Sequence, residues 1–294
     1  MLMKKLILFA AALITAATLN AQSEYFTGNI IEKDVWHYET NLDIIVENIK
    51  KNADENPNID AGTKAMVKMM AKTIAKNQLK IQEQQQYLTA FPEGEYLTIM
   101  KVDPVNNRSI AFTPALGRIF IKDGNIGRFV IAYPALKIAL DITEPQNYQN
   151  EAIKESAKYT PAKDESEVQI IDGLRCTPNY NWLPYDSVGG ELVDTVTMDG
   201  VLMVKIPAPG MRLADYNMLK TQGMSNEYYS YQVDIMLMKE ASVNPANFVL
   251  PSDYKTFQKA DQIIKQVMAA VKKDKLAIPY DVYQLPDVIW DVVK

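Results

Sequence analysis

Three Asp-Gly pairs, each set between strand-forming runs, limit what this 294-residue chain can fold into. Asp123-Gly124 separates Arg118-Ile119-Phe120-Ile121 from Ile126 to Ala132. Asp172-Gly173 separates Val168 to Ile171 from Leu174 to Thr177, and Asp199-Gly200 separates Val193 to Met198 from Val201 to Ile206. Asp-Gly accepts positive φ at both central positions of a tight turn, and such a turn matches the twist of the strands it joins. Three β-hairpins are therefore predicted. A fourth is predicted between Tyr96 to Val102 and Arg108 to Phe112, turning through Asp103-Pro104-Val105-Asn106-Asn107. From Glu227 to Lys239, Tyr229, Tyr231, Val233, Ile235 and Leu237 alternate with Ser230, Gln232 and Asp234, and the second face turns apolar at Met236 and Met238. That period of two marks a long strand with one buried face. With an opening strand at Tyr25 to Ile31, these elements predict a largely antiparallel sheet. No internal repeat is expected.

Helices are fewer. Thr40 and Asp43 have capping-box spacing, and Leu42, Ile45, Val46 and Ile49 share one face of the helix they open. Asp60 is the expected cap of a second helix, Ala61 to about Gln86, with an apolar face of Met66, Met69, Met70, Thr73 and Ile74 beside Ala71 and Ala75. Between the two, Asn52 to Asn58 reads as an exposed loop. A third helix spans about Thr256 to Lys273, with Phe257, Ala260, Ile263, Ile264, Val267, Met268 and Val271 as its stripe. Glu144 to Glu165 is polar, contains two prolines and reads as a loop with a helical turn at Glu151 to Lys158. The apolar tail after Ile278 is expected to dock on the body.

The N-terminus has the three parts of a signal peptide: Lys4-Lys5, the apolar run Leu6 to Ala17, and small Ala21 before Gln22. Residues 1–21 are thus expected to be cleaved, leaving a periplasmic or secreted chain of residues 22–294 read as one domain. No Cys follows Ala21 directly to accept a lipid anchor, and no later run is long enough to span a bilayer. Losing Lys4 and Lys5 takes the formal charge from -5 to -7. This acidic balance lacks the basic stripe of a nucleic-acid binder.

Catalytic signals are sparse. His37 is the only histidine and Cys176 the only cysteine. A nucleophile needs a base and a base needs an orienting partner, so a structural His37 and a buried thiol are expected. One His and one Cys cannot make a zinc site, which wants about four such ligands. Asp43 and Glu47, or Asp186, Glu191 and Asp194, could supply paired carboxylates, but a solvated surface is their default. Gly189-Gly190 lacks the Lys-Ser or Lys-Thr of a phosphate loop. No cofactor and no metal is expected. Tyr228, Tyr229 and Tyr231 suit either a sheet core or a cavity wall.

The segments Ile171-Asp172-Gly173-Leu174-Arg175-Cys176 and Phe248-Val249-Leu250-Pro251-Ser252-Asp253-Tyr254-Lys255, following an exported start and a meander of hairpins, resemble exported bacterial families related to the LolA/LolB lipoprotein carriers. The resemblance covers about residues 24–256; the helix near 61–86 and the tail after Lys273 look like additions, and the domain closes with a C-terminal helix plus tail, 256–294. It implies an α+β fold, a curved antiparallel sheet forming an open half-barrel with packed helices, whose concavity shelters acyl chains in the carriers. The expected function is non-enzymatic binding of an apolar ligand, a lipid or lipidated peptide, in the cell envelope. Tyr229, Tyr231 and Val233 are the first candidate contacts, then Phe129 and Ile131, with Met66 and Met70 from the helix. The alternative is an envelope protein–protein interaction module with a packed core and no ligand cavity; an enzyme ranks third.

Overall fold

Each strand of the main sheet is laid mostly beside the one before it. After β1 (Gly28–Tyr38) the chain adds an antiparallel meander: β2 (Gly94–Asp103), β3 (Arg108–Thr113), β4 (Arg118–Asp123), β5 (Arg128–Tyr133) and β6 (Ile138–Thr143). On the other side of β1 comes β13 (Tyr229–Glu240), then β12 (Thr221–Ser225), while β14 (Lys255–Phe257) joins β6 in parallel. The computed structural model describes residues 26–143, 167–184, 195–198, 201–213, 218–226 and 228–294, and these form an α+β fold around this open, curved nine-stranded sheet. A smaller sheet holds β7 (Gln169–Ile171), β8 (Leu174–Pro184), β10 (Val201–Leu213) and β11 (Met218–Leu219), with β9 (Thr195–Met198) on β10. The predicted signal peptide, the 144–165 stretch, the Asp199-Gly200 turn and the loop with Asp186, Gly189, Gly190, Glu191 and Asp194 lie outside the described residues.

All four hairpin pairings are present. At Asp172-Gly173 the turn is the expected one: Ile171 faces Leu174 and both turn residues have positive φ, 53° and 77°. At Asp123-Gly124 the reason differs. Pairing ends at Asp123 and Arg128, and the left-handed residue is Gly127. Gly124 instead donates its N–H to Asn107 O at 2.8 Å, and a Cβ there would lie 2.2 Å from the Asn107 amide. Its missing side chain lets two hairpin ends pack together. The β3–β4 and β5–β6 connections correct the expectation of no repeat: Pro114-Ala115-Leu116 and Pro134-Ala135-Leu136 each make one 3-10 turn closed by a left-handed residue, Gly117 and Lys137.

Helix α1 (Leu42–Glu55) is capped by Asn41, whose side chain accepts from the Asp43 and Ile44 N–H groups; Thr40, the predicted cap, lies one residue too early. The helix runs through Asn52 to Glu55, so the predicted loop is shorter, and Ala53 is buried. Helix α2 (Ala61–Leu88) starts on Asp60 as predicted. Its buried face is not the predicted one. Ala71 and Ala75 pack with Ile45, Ile49, Leu42, Val46, Val67 and Ile74, while Met66, Met69 and Met70 are exposed. Alanines let the two helix axes approach closely, and the contact forms where they are. Helix α3 (Ala260–Val271) starts later than predicted because Lys255–Phe257 is drawn into the sheet as β14. A single turn, α4 (Ile289–Val292), lies in the tail.

The core has two parts, one on each face of the main sheet. On one, Ile30, Met100, Phe120, Ile131 and Leu140 meet the predicted α3 stripe, together with Cys176 and Leu213 of the smaller sheet. On the other, Ile31, Ile99, Phe112, Ile119 and Val130 meet the docked tail through Phe248, Ile289, Trp290 and Val293. The tail is clasped by buried Asn247, which accepts from Ile289 N–H and donates to Asp287 O, each at 2.8 Å. Buried Lys220 joins the sheets: its backbone N–H donates to Met211 O, its carbonyl accepts from Ile235 N–H, and its ammonium reaches Ile235 O and the Asp172 carboxylate.

Candidate functional site

Strand alternation sorts the α3-facing side of the main sheet into three rows. The central row is apolar: Ile30, Met100, Ala111, Phe120, Ile131 and Leu140 stand opposite one another from β1 to β6. On one side of it lies Val102, Ser109, Lys122 and Phe129; burial pulls the Lys122 ammonium down to about 8. On the other is a polar row: Glu32 and Asp34 on β1, Thr98 on β2, Thr113 on β3, Arg118 on β4 and Tyr133 on β5.

The polar row sits under the C-terminal end of α2. The last four carbonyls of a helix have no partner within it. Arg118 Nη1 donates to Gln86 O at 3.3 Å, and Tyr133 OH donates to Tyr87 O. Tyr38 OH donates to Phe91 O at 2.6 Å just beyond the helix. A cation at this end also suits the helix dipole. Arg118, 1% exposed, lies between the rings of Phe91 and Phe120, at 4.8 and 4.4 Å. Burial lowers its guanidinium to about 10, and the neighbouring Tyr133 and Asp34 raise it again in part. Arg118 Nε and Nη2, Trp36 Nε1 and Gln85 Nε2 have no hydrogen-bond partner among the described residues.

Two carboxyls belong to the row, and the nearer to this cation, Asp34, makes no ion pair with it. Burial, and then the charge of Asp34, push Glu32 up to about 8. Burial pushes Asp34 up to about 7, against the pull of the Thr98 hydroxyl bonded to it at 3.2 Å and of Arg118. Thr98 and Thr113 share a further hydrogen bond of 2.9 Å. Through Arg118 and Tyr133 the row thus fastens the end of a long helix to β4 and β5.

The predicted ligand contacts divide between two places. Tyr229, Tyr231, Val233, Phe129 and Ile131 share the α3-facing side of the sheet. Tyr231 stands opposite Trp36, with rings 4.7 Å apart, and Tyr229 opposite Tyr38. Together with Phe91 and Tyr96 they form a half-buried aromatic group at the end of the long strand. Val233 is buried opposite Asp34. Phe129 and Ile131 lie across the sheet as packed core, Phe129 5.6 Å from the Phe120 ring. Met66 and Met70 are not brought to this face.

The other chemically singled-out residues are simply placed. His37 Nδ1 is 2.8 Å from Glu93 on the surface. Cys176 is buried and burial pushes its thiol up. Asp43 is exposed and Glu47 pairs with Lys50 at 2.8 Å. No group of three or more possible metal ligands occurs among the described residues. No family model matches this chain, and no curated protein is significantly similar to it.

The helical arm carries a second surface. Between α1 and α2 lies an open groove of about 470 Å³ lined by Glu47, Lys50, Lys51, Asp54, Glu55 and Lys68, which pair among themselves. On the outer side of α2, Met69 is 80% exposed and Met66 54%. At about 100° per residue, Met66, Met69 and Met70 fall in an arc roughly 100° wide, opposite Ala71 and Ala75. By the same spacing Lys76 borders that arc, Lys80 falls within it one step further along the helix, and Lys72 lies outside it on the same side; none has an ion pair among the described residues. The predicted helix was right about the methionines sharing a face but not about where it points. The signal that could have told was the lysine at every fourth position from Lys64 to Lys80.

Proposed function

We propose that this protein is an exported, non-enzymatic docking module of the cell envelope, in which the sheet is a packed scaffold and the α1–α2 arm is the working surface. The observation that carries this reading is the outward face of α2: three neighbouring methionines in water, while the α3 stripe fills the sheet face on which a carrier would hold its ligand. Exposed apolar groups collected on one ridge mark interaction sites, and methionine adapts to varied partners. The open curved sheet with a helix against one face is compatible with the LolA/LolB-like half-barrel, which we retain as the proposed architecture.

Binding of an apolar ligand is the second reading. It is favoured by one observation, the shared sheet face of Tyr229, Tyr231, Val233, Phe129 and Ile131, with the aromatic end of that face only half-buried. One experiment separates the two. The full chain is expressed with a photo-crosslinking residue replacing Met69 and, as control, replacing exposed Thr256. The purified protein is then extracted with organic solvent for mass spectrometry. Adducts from position 69 alone and a lipid-free extract are expected. Stoichiometric lipid with no adducts from position 69 would replace this reading with the second.

A further inference from the structure

Helix α2 is the basic part of an acidic protein. Its 28 residues contain Lys64, Lys68, Lys72, Lys76 and Lys80, and no acid before Glu83, whereas the chain as a whole has a formal charge of -5. Two of the five lysines are occupied at home: Lys64 donates to Asp54 O, and Lys68 pairs with the Asp54 carboxylate. Lys72, Lys76 and Lys80 have no ion pair among the described residues and run obliquely along the helix from beside the methionine arc into its sector. Ile81, also exposed, extends that arc toward the C-terminal half.

We infer that the outer face of α2 docks on an anionic lipid surface, with Met66, Met69, Met70 and Ile81 entering the interface and Lys72, Lys76 and Lys80 on the headgroups. This rests on reading the arm as the working surface, and names what it works against. Charge complementarity selects the partner: a lysine row with no acid between Lys64 and Lys80 makes no ion pair within its own helix among the described residues, and an anionic bilayer offers counter-charge along the helix's whole length of about 42 Å. The geometry fits a plane as well. The apolar residues form the crest of a ridge rather than a groove, and lysines at its flank can extend along the apolar region while keeping their ammonium groups in water. The mode is surface docking. No described helix is long and apolar enough to cross a membrane, and the alanine side of α2 is already occupied by α1.

The test is co-sedimentation of the full chain with vesicles of phosphatidylglycerol and phosphatidylcholine, against pure phosphatidylcholine, over a salt series. Binding is expected only to the anionic vesicles, and to weaken steeply with salt. Each lysine near the surface is worth about fivefold in affinity, so Lys72→Gln/Lys76→Gln/Lys80→Gln together should lose about a hundredfold. Met69→Ser should lose several-fold with salt dependence retained. Because all these side chains are exposed, the variants should keep the parent unfolding midpoint, which excludes misfolding as the cause. Equal binding to both vesicle types, or no change in the triple variant, overturns the inference. If vesicles are ignored while position 69 still crosslinks an envelope protein, the partner is an acidic protein and this inference fails with the docking reading intact. If position 69 neither crosslinks nor binds vesicles, both fail.

Discussion

Helices α2 and α3 each carry an apolar stripe, and the two stripes meet opposite fates. In α3, Ile263, Ile264 and Val267 disappear into the core against the main sheet. In α2, Met66, Met69 and Met70 point outward, and the contact with α1 is centred on Ala71 and Ala75, with Val67 and Ile74 beside them. The difference lies in what each helix has to pack against. A sheet offers a broad apolar surface that takes branched side chains standing off the helix. A second short helix offers a narrow seam, and small residues bring the axes close enough for Ile45 and Ile49 to fill it. Amphipathicity locates a contact face only when the partner is wide enough to cover all of it.

The sharpest break in that comparison comes from the sheet side. Ile131→Ala removes a side chain that is 0% exposed, between Phe120 and Leu140. It should destabilise the whole fold by about 3 kcal/mol, read as a lower urea midpoint with unchanged slope. On the arm, Ala75→Leu forces a larger side chain into the α1–α2 seam, at about 1–3 kcal/mol. Its effect should be local. Hydrogen exchange of the α1 amides should speed up while the β3–β5 amides keep their protection. Uniform loss of protection would show that arm and sheet unfold as one unit.

Much of the sheet side was legible because its signals are local. Hairpin pairing needs only neighbouring residues, and the Asp172-Gly173 turn, the alternation from Tyr229 to Ile235 and the α3 stripe appear where the sequence places them; a bulge in the β1–β13 pairing then moves Leu237 to the opposite core. Gly124 shows the limit: the pairing was correct, but the glycine answers to Asn107 of another hairpin, a contact no local pattern contains. Met66, Met69 and Met70 show the same limit on a helix. The polar row was missed altogether. Glu32, Asp34, Thr98, Thr113, Arg118 and Tyr133 are scattered over a hundred residues, and only strand register and the arrival of the α2 end bring them together. The lysine ladder was visible, but its meaning depends on knowing which side of α2 faces water.

The polar row gives the sheet a pH dependence near neutrality. Glu32 and Asp34 hold protons in the folded chain at pH values where the unfolded chain has released them, since burial raises both. Between the ordinary carboxylate range and about pH 7 to 8, the folded state therefore binds more protons than the unfolded state. Stability falls as pH rises through that window, by up to about 1.4 kcal/mol per pH unit for each group. Below the window both states are protonated and the dependence ends. Asp34→Asn should flatten the slope of the unfolding midpoint between pH 5 and pH 8. Arg118, Tyr38, Tyr96 and Tyr133, the other titratable groups around the pair, stay in one charge state over this range and add no slope. A slope identical in the variant and the parent would remove Asp34 from the account.

The smallest effect is the most discriminating. Met69→Ala deletes as many heavy atoms as Ile131→Ala, but from a side chain that is 80% exposed. Surface changes of this kind stay within about 0.5 kcal/mol, and alanine's higher helix propensity offsets part of that. The unfolding midpoint should be indistinguishable from the parent's. If Met69 were covered in the isolated protein, the same substitution would leave a cavity and the midpoint would fall as it does for a core methionine. An unchanged midpoint together with weakened docking means that this methionine works only against something outside the chain, because folding does not need it. An unchanged midpoint with unchanged docking would reduce the arm's apolar face to ordinary surface, and the difference between α2 and α3 to packing alone.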